Sequence, residues 1–412
     1  MRVATARWPS TDVLIDRLPV EAQLLLAAVR EPEWRVDEVR RLASGPVDWV
    51  VVRALATQER LLTVVWPRLQ EAGVTIPEEH ARAFRLQASV TEFQLSFTES
   101  VLGEVAAVAR ELSIDLLLLK GAALALTVYG AFRDRPMGDI DVLARPHDAT
   151  RLWNRLREDG WALEYAGGAD FYRSHHHLPP LVRGGGVGVV LEIHRAILPP
   201  RGPFDTTGDL TWADLPVLAV DGSAVRVLSP EAQLLHLAIH FAWSHALGRG
   251  LARTVRDVSA VIARTPPDWT RLLERSRDSR SATSAYWTLR MAQRLGGAEV
   301  PSDVLDALAP PRSKWMLDWL ERSYVEIALF RSCPSQRLPR WLWTLGMDPR
   351  GSGHGDHRPW ESDADFRYDV TGDDVETTPT GLADRIRRIP AGLGYLRRTV
   401  AGRLGGPHAE PE

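Results

Sequence analysis

The spacing of apolar residues changes period twice along this chain, and those two changes limit what it can fold into. In LIDRLPVEAQLLLAAVR, VVVRALATQERLLTVVWPRL and EEHARAFRLQASVTEFQLSFTESVLGEVAAVARELS, apolar residues recur every three or four positions, the mark of helices that bury one face. Breaks at Gly45-Pro46 and between Gly73 and Pro77 separate three or four such helices. Residues 1–112 therefore read as an N-terminal helical region, a scaffold without chemistry of its own. The pattern then shortens. LSIDLLLLKG is a brief apolar run, AALALTVYGAF is helical and MGDIDVLAR alternates with period two. Residues 149–159 read as a helix closed by Gly160, while FYRSHHHLPPLV and VGVVLEIHRAIL read as strands joined by the RGGG loop. From Ser229 the helical period returns, with Ser229 as N-cap, Pro230 in the first turn and Glu231 behind it. Further helices are expected over 251–264, 268–278, 281–295, 301–309 and 312–330.

The expected fold is thus α+β: a small mixed sheet over 113–228, flanked by the N-terminal helical region and by a C-terminal helical domain over 229–332. Beyond Cys333 the sequence is rich in Gly, Asp and Thr and poor in aliphatic residues. Residues 333–412 read as a loose, partly disordered tail, ending in the basic amphipathic stretch RIRRIPAGLGYLRRTVAGRL.

Composition excludes several function classes. The 412 residues carry a formal net charge of -3, so no global positive field draws the chain to nucleic acid. Its fifteen tryptophans are scattered among apolar positions rather than interleaved with basic ones, unlike a stacking platform. Cys333 is the single cysteine, which rules out a disulfide within the chain and fits a reducing compartment. MRVATARWPSTDVL lacks the apolar core of a signal peptide. The longest apolar run, Ile114–Leu119, is broken by Asp115 and followed by Lys120, well short of the roughly 18 residues that span a bilayer. A cytoplasmic protein without a membrane span is expected.

The chemistry is concentrated in Gly138-Asp139-Ile140-Asp141-Val142-Leu143. On a strand, Asp139 and Asp141 share one face while Ile140 and Val142 share the other. Two carboxylates held that close repel each other unless a cation lies between them. Oxygen ligands of this kind suit Mg²⁺ or Mn²⁺, ions that commonly bridge a substrate triphosphate. A second strand offers Glu192 and His194 on one face, and Glu192 is the candidate third carboxylate of a two-metal site. Arg135 lies just upstream as a candidate phosphate ligand. The Lys120-Gly121 turn opens a helix, whose free N–H groups favour an anion.

These residues carry a resemblance. LLLLKGAALALTVYGAFRDRPMGDIDVLARPHD, with HHHLPPL, VLEIHRAI and LSPEAQLLHLAIHFAWSHALGRGLARTVRDVSAVI, resembles an uncharacterised nucleotidyltransferase family that has Lys-Gly in place of the usual Gly-Ser. The wider superfamily includes aminoglycoside nucleotidyltransferases, poly(A) polymerases and minimal nucleotidyltransferase antitoxins. The likeness extends over about residues 20–310 in general pattern and is specific in the Lys-Gly turn, Arg135, the Asp-x-Asp and the Glu-x-His. It implies that Asp139, Asp141 and Glu192 bind metal, with Glu192 helping to deprotonate the acceptor. Lys120 and Gly121 would lie at the triphosphate, with Lys120 replacing the missing serine as a point charge.

Other residues invite weaker readings. His175, His176 and His177 are consecutive, so on a strand they alternate faces and cannot bind one ion without a turn. With no cysteine cluster to support zinc, they read as solvated or phosphate-contacting, His177 being the best placed to touch nucleotide or acceptor. His194 is a further candidate nucleotide contact and the alternative base. His236, His240 and His245 have helical spacing, but Leu237 stands where a zinc-protease glutamate would, so packing against the catalytic core is the expected role. Arg256-Asp257 is a candidate bridge from the helical domain to the nucleotide. Gly184-Gly185-Gly186 joins two strands and reads as a hairpin turn rather than a phosphate loop.

The expected reaction moves an NMP group from a nucleoside triphosphate, ATP among them, to a hydroxyl or phosphate of a small molecule or modified peptide. The peptide and natural-product acceptors come from the resemblance, since relatives of this pattern sit beside such biosynthetic enzymes. The alternatives are a silent nucleotide- or partner-binding module of the same fold, and an enzyme that attaches AMP to a protein.

Overall fold

The computed structural model describes residues 12–164, 172, 175–184, 188–198, 203–204, 212–330 and 337–347. Among these, the N-terminal region holds six helices rather than three or four: α1 (Asp12–Ile15), α2 (Val20–Val29), α3 (Val36–Ala43), α4 (Trp49–Gln58), α5 (Leu62–Glu71) and α6 (Glu78–Glu111). The excess arises where a single helical period runs through a turn. The continuous apolar pattern of VVVRALATQERLLTVVWPRL holds both α4 and α5, which part at Arg60, a residue in left-handed backbone (φ 55°).

A seven-stranded mixed sheet follows, in the order β3-β4-β5-β2-β1-β7-β6. The strands are β1 (Leu117–Leu118), β2 (Asp139–Leu143), β3 (Ala162–Leu163), β4 (Leu181–Arg183), β5 (Val189–His194), β6 (Val217–Val220) and β7 (Ser223–Arg226). This is the expected α+β architecture. Helix α7 (Lys120–Leu124), extended by one π turn to Tyr129, joins β1 to β2, and α8 (Pro146–Glu158) follows β2. The β6–β7 hairpin was not foreseen, because its strands are four residues each with mostly half-exposed alternation. Strands β4 and β5 pair antiparallel as a hairpin should, although Gly185 and Gly186 of the Gly184–Gly186 turn lie outside the described residues.

At the centre, β2 and β5 run parallel, with Asp139 opposite Val190, Asp141 opposite Glu192 and Leu143 opposite His194. The register sorts the side chains. Ile140, Val142, Leu191 and Ile193 join the half of α6 from Leu95 to Ala109, and Leu152 and Leu156 of α8, in one apolar cluster. The opposite face of the same strands carries the acids.

After the sheet come α9 (Pro230–Ile239), a π turn to Ser244, α10 (Leu251–Arg264), α11 (Trp269–Asp278), α12 (Ala282–Met291), a π turn to Gly296, α13 (Ser302–Leu308) and α14 (Lys314–Phe330). Ser229 caps α9 by accepting from the Ala232 N–H, as its sequence signal indicates. These helices do not form a core of their own. Leu24, Leu25 and Leu69 from the N-terminal helices share one buried cluster with Leu234, Val258 and Trp287 from the C-terminal ones. The two helical regions, distant in sequence, are one body in space. Glu31 fastens them at 1% side-chain exposure, paired with Arg68 (2.8 Å), Arg256 (2.9 Å) and Arg264 (2.6 Å).

A fifteenth helix, α15 (Arg337–Met347), lies inside the segment expected to be loose. The low-complexity stretch that prompted that expectation begins only at Gly351 and falls outside the described residues. Leu342, Trp343 and Met347 of α15 are buried in the helical core. The Trp343 indole donates to the Ala242 carbonyl at 2.7 Å, and the Trp287 indole donates to the Gly346 carbonyl at 3.2 Å. Each large buried side chain contributes about 1.5–3 kcal/mol, and loss of the helix also strands the Trp287 indole. A chain ending at Ser332 is expected to melt roughly 5 °C or more below the full chain. An unchanged melting temperature would show that α15 does not hold the core.

Candidate active site

The site is built from two strand ends and one turn. Asp139 and Asp141 project from the same face of β2, with side-chain exposures of 39% and 2%. Glu192 projects beside Asp141 from β5, and His194, two residues on, lies beneath both at 0% exposure. The His194 imidazole approaches Asp141 Oδ1 at 2.9 Å and Glu192 Oε2 at 3.5 Å. Lys120 reaches in from the β1–α7 turn, with Nζ 2.6 Å from Asp141 Oδ1 and 4.0 Å from Glu192 Oε2. The lysine holds a left-handed backbone (φ 44°), a conformation that costs a side-chain-bearing residue about 1–2 kcal/mol and persists at sites whose surroundings impose it.

Gly121 follows that turn and packs tightly. A Cβ there would lie 3.0 Å from the Met137 Cβ and 3.6 Å from the Arg135 guanidinium. The Lys-Gly pair therefore has two jobs: the lysine delivers an ammonium to the acids, and the glycine admits the strand that carries them.

These groups set one another's protonation. Burial acts to raise Asp141, but Lys120 and His194 outweigh it and hold the carboxyl well below the usual range. Glu192 goes the other way, pushed up to about 7 by burial, with His194 opposing and Asp141 adding to the rise. Burial works against the charged forms of Lys120 and His194, yet their carboxylate partners raise both. One acid is firmly ionised and its neighbour is poised near neutrality, a division of roles that proton-transfer sites exploit.

Oxygen donors from Asp139, Asp141 and Glu192 on one sheet face suit a hard divalent cation. Asp141, Glu192 and His194 have ligand atoms all within 4.8 Å of one another. Lys120 already lies in that negative pocket, which shows that the cluster accepts positive charge.

Several expected residues stand elsewhere. Arg135 is buried, its Nε 2.6 Å from Asp257 Oδ1, and it also donates to the Pro136 carbonyl. Tyr129 donates to the same Asp257 oxygen at 3.0 Å. Arg256 bonds Glu31 and the Asp134 carbonyl. The Arg256-Asp257 pair thus bridges α10 to the segment preceding β2. Removing one partner of a buried pair leaves an uncompensated charge. Asp257→Asn is expected to lower the unfolding free energy by about 3 kcal/mol, measurable by urea denaturation, and a change below about 0.5 kcal/mol would show that the pair holds nothing in place.

His177 is buried and pairs in antiparallel fashion across from His194, with Nε2 4.0 Å from Glu192 Oε2. His236 is buried and pushed down to about 3 by burial and then by Lys120 and His194. His240 and His245 face each other, Nε2 to Nε2 at 3.3 Å. His245 is likewise pushed to about 3 by burial, Arg253, Lys120, Arg249 and Arg60. His236, His240 and His245 do pack toward the catalytic core, where burial favours their neutral rings.

Arg60 was missed. It follows α4 in the supposed scaffold and places its guanidinium 3.7 Å from Asp139 Oδ1. Gly138 makes room for it, since a Cβ at 138 would run into that guanidinium. Nothing in the local sequence marks Arg60, because its partner is about eighty residues away. Arg253 was also missed; burial, Arg135 and Arg60 push it down to about 10, which places a further cation on this side of the molecule. The N-terminal helices therefore take part in the site.

Comparison with protein families gives a match over residues 45–297 to a family described as an uncharacterised nucleotidyltransferase. A comparison with curated proteins gives no match.

Proposed function

Because this chain belongs to the uncharacterised nucleotidyltransferase family, we propose that it is a metal-dependent enzyme that moves an NMP group from a nucleoside triphosphate to a hydroxyl or phosphate of a small molecule or modified peptide. The observation that carries this reading is the β2–β5 register, which sets Glu192 beside Asp141 with Asp139 on the same face. Asp139, Asp141 and Glu192 would hold Mg²⁺ or Mn²⁺. When bound, the ion supplies charge that screens the triphosphate and the developing oxyanion.

The chain's own residues account for the rest. Glu192, raised to about 7, is suited to take the proton from an acceptor hydroxyl. Asp141 stays ionised because Lys120 and His194 surround it. His194 positions both carboxylates from below. Arg60 and Arg253 supply positive charge on the side where phosphates would lie, the role that Arg135 was expected to fill. Catalysis in such a site comes mainly from positioning and fixed charge. The net charge of -3 favours a small or peptide acceptor over nucleic acid.

One observation favours a second reading, a silent nucleotide-binding module: Lys120 already balances the acids at 2.6 Å. Incubation with each of the four α-labelled triphosphates, Mg²⁺ and cell extract as acceptor source separates the two. The enzyme transfers label from at least one triphosphate to an acceptor, and the transfer stops with EDTA. A module that binds nucleotide and transfers no label from any of the four is the silent one.

A further inference from the structure

Three consecutive histidines on a regular strand alternate between faces, and that alternation argued against a shared ion. The chain does not follow a regular strand there. Residues 175 and 176 bend, and only His177 pairs in strand fashion, opposite His194. The bend is fastened by its backbone. The Arg195 N–H donates to the His176 carbonyl at 2.7 Å, and the Arg195 guanidinium donates to the carbonyls of Tyr172 and His175 at 2.6 and 2.7 Å. The three rings consequently gather on one side, with centroids 4.2 Å apart for His175–His176, 4.2 Å for His175–His177 and 5.0 Å for His176–His177.

We propose that His175, His176 and His177 form a transition-metal site, suited to Zn²⁺, separate from the carboxylate cluster on β2 and β5. Imidazoles that radiate tetrahedrally from one ion with Zn–N bonds of about 2.0–2.1 Å have ring centroids about 5 Å apart, close to the observed spacing. One nitrogen from each ring already lies within 4.8 Å of the others, and side-chain rotation closes that to the roughly 3.4 Å between tetrahedral nitrogen ligands.

Two details of the hydrogen bonding point to a ligand. His176 Nδ1 is buried without a hydrogen-bond partner among the described residues, and a buried polar atom of that kind calls for one. His177 Nδ1 lies 2.7 Å from the Leu178 carbonyl, so it carries the proton and leaves Nε2 with its lone pair. A backbone carbonyl that fixes the tautomer of a ligating histidine is the usual outer support of a metal site.

The donor chemistry separates this site from the neighbouring one. Three neutral nitrogens favour zinc, copper or nickel, whereas the carboxylates favour magnesium or manganese. The nearest described acid is Glu192, whose Oε2 lies 4.0 Å from His177 Nε2, so an ion held here flanks the acid cluster and ties the segment around His175 to the end of β5. Three protein ligands leave a fourth position open. The inference stands on the histidine geometry and does not depend on nucleotidyl transfer.

The test uses the untagged full chain, stripped with EDTA and dialysed against Zn²⁺, with bound metal measured by elemental analysis and with Co²⁺ as a coloured substitute. The expected result is one tightly held Zn²⁺ per chain, lost in both His175→Asn and His176→Asn and kept in Asp139→Asn. Cobalt should give the intense visible bands of a four-coordinate site. Circular dichroism checks that each variant is folded. Three results overturn the proposal: no stoichiometric zinc in the wild-type chain, zinc retained by both folded histidine variants, or only the weak bands of six-coordinate cobalt.

Discussion

Asp139→Asn is expected to remove metal-dependent turnover of nucleoside triphosphate by at least about 10²–10³-fold, the scale for losing one fixed electrostatic stabiliser, while leaving the fold intact. The reason lies in its exposure. Asp139 has 39% of its side chain open, with Arg60 beside it at 3.7 Å, so little packing depends on its charge. Asp141→Asn should be as damaging to turnover, but for two reasons at once. Asp141 is 2% exposed and accepts from Lys120 at 2.6 Å and His194 at 2.9 Å. Neutralising it leaves a buried ammonium short of its partner, and breaking a buried pair costs about 3–5 kcal/mol. Steady-state turnover at saturating nucleotide and magnesium, read with urea denaturation, separates the two effects. Wild-type turnover in Asp139→Asn would remove that residue from the site, and wild-type stability in Asp141→Asn would show that Lys120 is not held there.

Glu192→Gln is expected to cut kcat by about 10²-fold or more, the usual scale for losing a general base, with far less change in nucleotide affinity. Glutamine keeps the size of the side chain and can accept a hydrogen bond from His194, but it cannot take a proton. His194→Ala is the paired control. His194 is fully buried, with Nε2 directed at Asp141 and Glu192, so its loss should lower stability together with turnover. Full activity in Glu192→Gln alongside none in His194→Ala would assign the base to His194. Equal losses of kcat and nucleotide affinity in Glu192→Gln would make Glu192 a binding group instead.

The strongest part of the site was legible because its signal is local. Asp139 and Asp141 share a face by strand periodicity alone, and the burial of Ile140 and Val142 on the other face follows from the same alternation. Ser229 as a cap and helix α10 at Leu251–Arg264 were equally plain. What the sequence concealed depends on pairings between distant segments. Arg60 meets Asp139 only because the turn between α4 and α5 comes to lie beside the start of β2, and Arg135 is drawn to Asp257 on α10. No period or motif links those positions. The single core shared by Leu24 and Trp287 is hidden for the same reason, since amphipathic helices announce a buried face but not its partner. Helix α15 was lost to the composition of the tail that follows it. The histidine run failed differently. The rule of alternation was sound, but the bend at His175–His176 that suspends it comes from Arg195, nineteen residues downstream of His176.

The central claim is that Asp139, Asp141 and Glu192 serve attack at the α-phosphorus of a nucleoside triphosphate. The most direct measurement labels the α- and γ-phosphates of the active triphosphate separately and identifies the products over one time course. Nucleotidyl transfer predicts that α-label enters the acceptor at the rate γ-label appears in pyrophosphate, with both slowed about 10²-fold by Glu192→Gln. Release of γ-label as orthophosphate, with the α-label left in a nucleoside diphosphate, would place the chemistry at the γ-phosphorus and contradict the account.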